Sequence, residues 1–162
     1  MDAPKRLNHW VAIITLTLLF ANFYPGLLEA AEIALSQGQT VYVPVYSNVI
    51  AGPREVPIHL SNTLIIRNTD IHNEIQVLAA NYYDTKGILL KKFYPQPVKL
   101  APLETVYLYL SDRDQEGGVG ANFIVRWRAA KEVNAPIIEC VMVGSQGRAF
   151  VSPSRDIKED TK

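Results

Sequence analysis

The chain has 162 residues, of which 48% are hydrophobic and 20% charged; this balance excludes a disordered chain and predicts one globular domain. Its 16 basic and 16 acidic side chains cancel, so we expect neither a nucleic-acid partner nor attraction to an anionic membrane surface. The single cysteine, Cys140, excludes an intramolecular disulfide.

The N-terminal segment, residues 1–31, has the pattern of a secretory signal. Basic residues precede an uncharged apolar run from Trp10 to Phe20, as in the charged start and apolar centre of such signals. We expect cleavage after Ala30 or Ala31. The alternative is an uncleaved membrane anchor, although the apolar run is shorter than the roughly 20 residues of a spanning helix. Membrane contact would come only through this segment, if it stays uncleaved.

The body of the chain, residues 39–152, predicts β-strands without intervening helices. Short β-branched and aromatic runs alternate with Pro, Gly, Asn and Asp, and helical periodicity is absent. Pro44 places the first run at a sheet edge or a bulge because proline cannot donate to a strand ladder. Residues 153–162 are predicted to be a disordered charged tail. The expected strands are Thr40–Tyr46, Ile58–Asn68, Ile75–Tyr83, Ile88–Tyr94, Leu103–Leu110, Asn122–Ala129, Pro136–Gly144 and Ala149–Ser152.

Two of these segments predict particular positions in a sheet. Asp84–Gly87 reads as the loop of a hairpin that pairs the strands on either side of it. Asn122–Ala129 alternates large apolar with charged residues and reads as a central strand. Seven or eight antiparallel strands favour a β-sandwich of the immunoglobulin-like or fibronectin-like kind. A small barrel is the alternative.

An acidic loop is the first candidate site. Asp112, Asp114 and Glu116 stand at alternate positions before Gly117, like the first half of a calcium loop, in which oxygen ligands converge as a glycine turns the chain. The position that should hold a bidentate acid is Phe123. The other interpretation is a solvated acidic turn. Apart from calcium at this loop, we expect no cofactor.

An aromatic surface is the second candidate site. Tyr107 and Tyr109 alternate with apolar residues, and Arg126 and Arg128 alternate with the apolar residues of a later strand. Exposed aromatic rings beside arginines would suit a protein interface or a carbohydrate platform. The alternative is that a second sheet covers this face.

Catalytic residues are not indicated. The two histidines of the body, His59 and His72, lie in no recognisable motif and read as surface residues. Cys140 has apolar neighbours and no nearby cysteine or histidine in the sequence, so a buried, unreactive thiol is expected.

Several motifs of the body resemble an uncharacterised bacterial family, one of the numbered domains of unknown function found in exported and lipid-anchored proteins. The resemblance implies an exported envelope protein and assigns no activity or catalytic residue. The motifs are Y-V-P-V-Y-S at Tyr42–Ser47, I-R-N-T-D at Ile66–Asp70, Y-Y-D-T-K-G at Tyr82–Gly87, G-A-N-F-I-V-R-W at Gly120–Trp127 and P-I-I-E-C-V-M-V-G at Pro136–Gly144.

The sequence therefore favours a non-catalytic binding or assembly module of the bacterial envelope, in the periplasm or the thylakoid lumen. It would engage a protein partner through a sheet edge or an aromatic face. A calcium-stabilised carbohydrate-binding domain is the alternative, and an envelope hydrolase is a third hypothesis.

Overall fold

The computed structural model describes residues 35–145 and 147–159. The predicted signal or anchor, residues 1–31, lies outside the described residues. Within the described ranges, no helix has the length and apolar character needed to cross a bilayer.

Eleven antiparallel strands form two sheets in the described part of the chain, so the expectation of an all-β, antiparallel fold is confirmed. The prediction of seven or eight strands was too low, because β2, β6 and β11 are short. The strands are β1 Leu35–Pro44, β2 Asn48–Ala51, β3 Val56–Arg67, β4 Ile75–Tyr83, β5 Leu89–Lys92, β6 Val98–Leu100, β7 Thr105–Leu110, β8 Asn122–Asn134, β9 Ile137–Gly144, β10 Ala149–Pro153 and β11 Arg155–Ile157.

The first sheet has six strands in the order β11-β1-β8-β4-β5, with β6 also paired to β4. β8 lies between β1 and β4, and Val125 pairs with Val41 on one side and Ala80 on the other. This confirms the prediction of a central strand. β11 pairs only with residues 40–42 of β1, so Pro44 lies beyond it, where no donor is needed.

The second sheet has five strands in the order β10-β9-β3-β2, with β7 also paired to β3. β3 is the longest strand of this sheet. Its first part pairs with β2 and its second part with β7, while β9 follows it on the other side.

Buried side chains of both sheets form one hydrophobic core. The alternation of each strand explains its composition, since successive side chains point to opposite faces. In β8, for example, Phe123, Val125 and Trp127 are buried, as the sequence predicts. The other fully buried large side chains include Val43, Leu64, Ile66, Ile75, Tyr82 and Met142.

The predicted hairpin between β4 and β5 is present. The backbone N–H of Gly87 donates to the carbonyl of Asp84 at 3.0 Å, and Gly87 has a φ of +78°, which favours glycine. The Asp84 carboxylate accepts bonds from the N–H groups of Lys86 and Ile88. The loop is therefore closed from within by its own aspartate.

The C-terminal residues are more ordered than predicted. The expectation of a disordered tail over 153–162 is wrong for residues 155–157, which form β11 against β1. Gln39 donates to the Asp156 carboxylate at 2.6 Å, and Arg126 donates to the Glu159 carboxylate at 2.7 Å. These contacts come from distant parts of the chain, so the local sequence carried no signal for them.

Candidate functional site

The second sheet carries an apolar surface that points away from the core. We call this surface the tyrosine face. Its residues alternate along β3, β7, β9 and β10 with buried side chains of the same strands. Its members are Thr63, Ile65, Tyr107, Tyr109, Val141, Val143 and Val151.

Strand register aligns the tyrosine face into rows. Tyr109 lies opposite Thr63, which lies opposite Val141, which lies opposite Val151. Neighbouring strands are about 4.8 Å apart, so this row spans roughly 14 Å. Tyr107 is 68% exposed, Tyr109 58% and Val151 52%. The prediction that these tyrosines lie outside the core is thus correct, and the alternative that a second sheet covers them is wrong.

One ion pair interrupts the apolar character of the tyrosine face. Arg67 Nε lies 3.6 Å from Glu139 Oε1, and both side chains are partly exposed. The two charges cancel and solvent screens them, so the pair adds little to stability. The face as a whole therefore offers apolar and aromatic area without a net charge.

The second half of the predicted surface lies elsewhere. Arg126 and Arg128 belong to β8 of the six-stranded sheet, whereas Tyr107 and Tyr109 belong to β7 of the five-stranded sheet. Arg126 is paired with Glu159, and Arg128 donates to the side-chain oxygen of Gln76 at 3.1 Å. The structure therefore does not bring the arginines and tyrosines together into one surface.

The carboxylates of the acidic loop do not form a metal-binding group. Within the described ranges, no group of three Asp, Glu, His or Cys side chains is placed to hold a metal ion. The Asp112 carboxylate accepts a bond from the hydroxyl of Ser111 at 3.0 Å, and Glu116 is exposed. The predicted ligands Asp112, Asp114 and Glu116 are thus not brought together into one such group. Asp114 is half-buried, and its Oδ1 atom is buried without a hydrogen-bond partner in the described part of the chain.

The acidic loop is instead fixed by a buried tyrosine. The Tyr82 hydroxyl lies 3.0 Å from the hydroxyl of Ser47, and Gly117 packs against the same tyrosine. Burial raises the pKa of Tyr82, and the nearby carboxylates of Asp114 and Glu116 raise it further, while the bond to Ser47 lowers it. Tyr82 therefore remains protonated and bonds to Ser47 as a neutral group, and the backbone N–H of Ser47 donates to the carbonyl of Gly118 at the end of the loop, at 2.9 Å.

The groups considered for catalysis lie apart. His59 and His72 are exposed, as the sequence predicts. Cys140 is fully buried, and burial raises the pKa of its thiol to about 12. The prediction of an unreactive thiol is consistent with this environment.

An open groove of about 520 Å³ lies on the six-stranded sheet beside β11. Residues of β1, β8 and the segment after β11 line it. Arg126 faces it but is already paired with Glu159, and Gln39 is paired with Asp156. Four of the polar groups that line this groove are thus bonded in two pairs.

Sequence reasoning missed most of the tyrosine face. Val141 and Val143 belong to β9, a strand whose two faces are both largely apolar. That pattern is the available signal, because a strand of an antiparallel sheet that faces water usually alternates apolar with polar residues. β9 shows it most clearly, since only Glu139 interrupts its apolar residues.

Comparison with known families decides where the chain belongs. The model of a family described as a protein of unknown function (DUF3124) matches residues 38–157. The chain belongs to this family. The DUF3124 match contains every motif that carried the resemblance found in the sequence, and that prediction is confirmed. It also contains β11, which places the last strand inside the family domain. No curated protein and no solved structure matches the chain.

Proposed function

We propose that this DUF3124 chain is a non-catalytic protein-binding module of the bacterial envelope. Residues 1–31 would export it to the periplasm or thylakoid lumen, and the tyrosine face would contact a folded protein partner. The observation that carries the proposal is the exposure of Tyr107 and Tyr109, at 68% and 58%, on the same sheet face as the exposed Val143 and Val151.

Exposed aromatic area on this scale supports a binding role. Single exposed apolar side chains are normal on soluble proteins, whereas contiguous apolar patches mark interaction sites. Tyrosine is enriched in protein interfaces, since its ring buries a large area and its hydroxyl can still bond at the rim. Because the face has no net charge, we expect an apolar partner surface and binding that depends weakly on salt.

The finer architecture is part of the same proposal. We propose an immunoglobulin-like or fibronectin-like sandwich for the two sheets. Two antiparallel sheets that share one core support this arrangement, because the inner faces of such sandwiches interdigitate while the outer faces remain available.

Site-specific photo-crosslinking would test the tyrosine face. The full chain, with a photoreactive phenylalanine analogue at position 143 or 151, would be expressed in a bacterium that carries the family. We expect one discrete adduct from both positions and none from position 128 on the other sheet. The partner identified from the adduct would then be purified and titrated. Equal adducts from position 128 would contradict the proposal.

Substitution of the face would follow with the purified partner. Val143 is 41% exposed, so Val143→Glu would place a charge in the apolar contact without disturbing the core. We expect at least a tenfold loss of affinity, because a buried charge without a partner costs more than about 1.4 kcal/mol. Arg128→Glu is the matched control and should bind as the unaltered chain does.

Fractionation of the bacterium that expresses the full chain tests export. The mass of the product then shows whether residues 1–31 have been cleaved.

A further inference from the structure

β7 is an edge strand that lacks the usual protection of sheet edges. It pairs with β3 on one side, and in the described part of the chain no strand or loop bonds to its other side. Its sequence, T-V-Y-L-Y-L, contains no charge, proline or glycine, and its pairing with β3 has no bulge. Such an edge is a template for another strand.

The other described edges carry protective features. β5 ends in Lys91 and Lys92, β10 ends in Pro153, and β11 contains Arg155 and Asp156. β2 and β6 have only four and three residues. Charges, prolines and short length are the means by which natural sheets prevent edge-to-edge pairing. β7 is the exception among these edges.

We propose that β7 pairs antiparallel with β7 of a second copy of this chain, across a two-fold axis. This inference does not depend on the proposed function. A two-fold axis brings the same edge of both copies together, and the absence of charge within β7 leaves no repulsion between identical strands. The pairing would join two five-stranded sheets into one continuous sheet.

The faces of the strand limit the register of this pairing. Residues directly opposite each other in an antiparallel pair point to the same side of the sheet. Tyr107 and Tyr109 point outward, whereas Leu108 is turned toward the core. The centre of symmetry must therefore lie at a residue and not between two residues. The longest overlap of the six-residue strand puts it at one of the two middle residues, Tyr107 or Leu108.

Charge at the ends of β7 selects between these two registers. A centre at Leu108 would place Glu104 directly opposite Asp112 of the second copy, twice, and like charges in opposed positions destabilise a sheet. A centre at Tyr107 places Glu104 opposite Leu110 and Thr105 opposite Tyr109. We therefore assign the centre to Tyr107, which would face its own copy on the axis.

Disulfide trapping tests both the pairing and the register. Cys140 is fully buried, so a new surface cysteine would be the reactive thiol. With Tyr107→Cys we expect a disulfide-linked dimer under mild oxidation, since opposed strand residues have Cα separations that a disulfide can bridge. Val151→Cys, on the β10 edge, is the matched control and should remain monomeric. A dimer that forms only when Tyr107→Cys and Tyr109→Cys proteins are mixed would overturn the assigned register.

Analytical ultracentrifugation of the purified protein, without any partner, measures the dimer directly. We expect a concentration-dependent dimer that Tyr107→Lys converts to monomer and Val151→Lys leaves intact. Both positions are exposed, so urea unfolding should show that both variants stay folded. A wild-type chain that is monomeric across the micromolar range, or a Tyr107→Lys dimer, would overturn the inference. Val143→Glu should still dimerise, which separates this result from loss of partner binding.

Discussion

Gly117 offers the sharpest test of how the acidic loop is held. Its backbone, with φ −69° and ψ −34°, is accessible to any residue, so alanine adds no backbone strain there. An alanine Cβ would nevertheless overlap the Tyr82 hydroxyl and lie 2.7 Å from the Ala121 side chain. Overpacking costs about 2 kcal/mol, and displacing Tyr82 from its bond with Ser47 costs about 1 kcal/mol. We expect Gly117→Ala to lower the free energy of unfolding by about 3 kcal/mol.

The double variant isolates the cause of this loss. Tyr82→Phe removes the hydroxyl that the new Cβ overlaps, so Gly117→Ala should cost less in that background, about 1 to 2 kcal/mol. Urea unfolding of the four proteins, followed by tryptophan fluorescence, gives the coupling between the two positions. An equal cost of Gly117→Ala in both backgrounds would refute the assigned contact.

Gly87 provides the matched control. It has a φ of +78° and open space around its Cα, so alanine there meets no side chain and suffers only the left-handed backbone. Gly87→Ala should cost about 1 to 2 kcal/mol, and Tyr82→Phe should not reduce that cost. If Tyr82→Phe reduced the cost of Gly87→Ala as much as the cost of Gly117→Ala, its effect would be a general one on the fold and not a local contact.

The remaining predictions concern two buried groups. The backbone N–H of His72 holds the pKa of Asp70 below its ordinary value against the opposing effect of burial, with help from Asn134 and Asn73. Because the folded pKa is the lower one, Asp70 stabilises the fold above about pH 4, and this stability is lost as pH falls through the folded pKa. Compared with the unaltered chain, Asp70→Asn should unfold at lower urea concentration at pH 7, and its free energy of unfolding should fall less between pH 7 and pH 3. If the free energy of unfolding of both proteins fell equally over this pH range, the role assigned to Asp70 would be wrong. The Cys140 thiol, whose burial raises its pKa to about 12, should react with a thiol reagent at pH 8 only after unfolding, and rapid reaction in the folded state would show that the thiol is accessible.

The alternation of single strands could be predicted from the sequence. In β3, Leu64 and Ile66 are buried while Arg67 is exposed, and in β8 Trp127 is buried between two arginines. These patterns depend only on the two-residue period of a strand, so they can be inferred without knowing the neighbouring strands. The hairpin at Gly87 was also predictable, because the residues that form its loop are consecutive in the sequence.

The choice of partner strand could not be predicted. Alternation indicated that Tyr107 and Arg126 both point outward, but not that β7 joins β3 while β8 joins β1 and β4. Sheet membership depends on long-range pairing, which the local sequence does not encode. β11 was missed for the same reason: its three residues include two charges, and contacts with β1 and Arg126 hold it in place.

The acidic loop shows a further limit of spacing arguments. Asp112 and Asp114 have the spacing of calcium ligands, but spacing does not determine how the backbone turns. In the structure the N–H of Asp114 donates to the carbonyl of Ser111, and the Asp112 carboxylate accepts from the hydroxyl of Ser111. The backbone turn at Ser111 thus sets where these two carboxylates lie, and the spacing of the residues does not reveal that turn.

The pairing of β11 with β1 determines how the domain would respond to a pulling force. The two strands are antiparallel, with Thr40 opposite Ile157 and Tyr42 opposite Arg155, so Leu35 and Ile157 both lie toward one end of the first sheet. Force applied through these two ends would break the β1–β11 hydrogen bonds one after another, as in a zipper, and not all at once. β11 would therefore detach at low force, while β1 would stay attached to β8 through their much longer pairing. A domain under tension would thus lengthen by a few residues before the force reached its core.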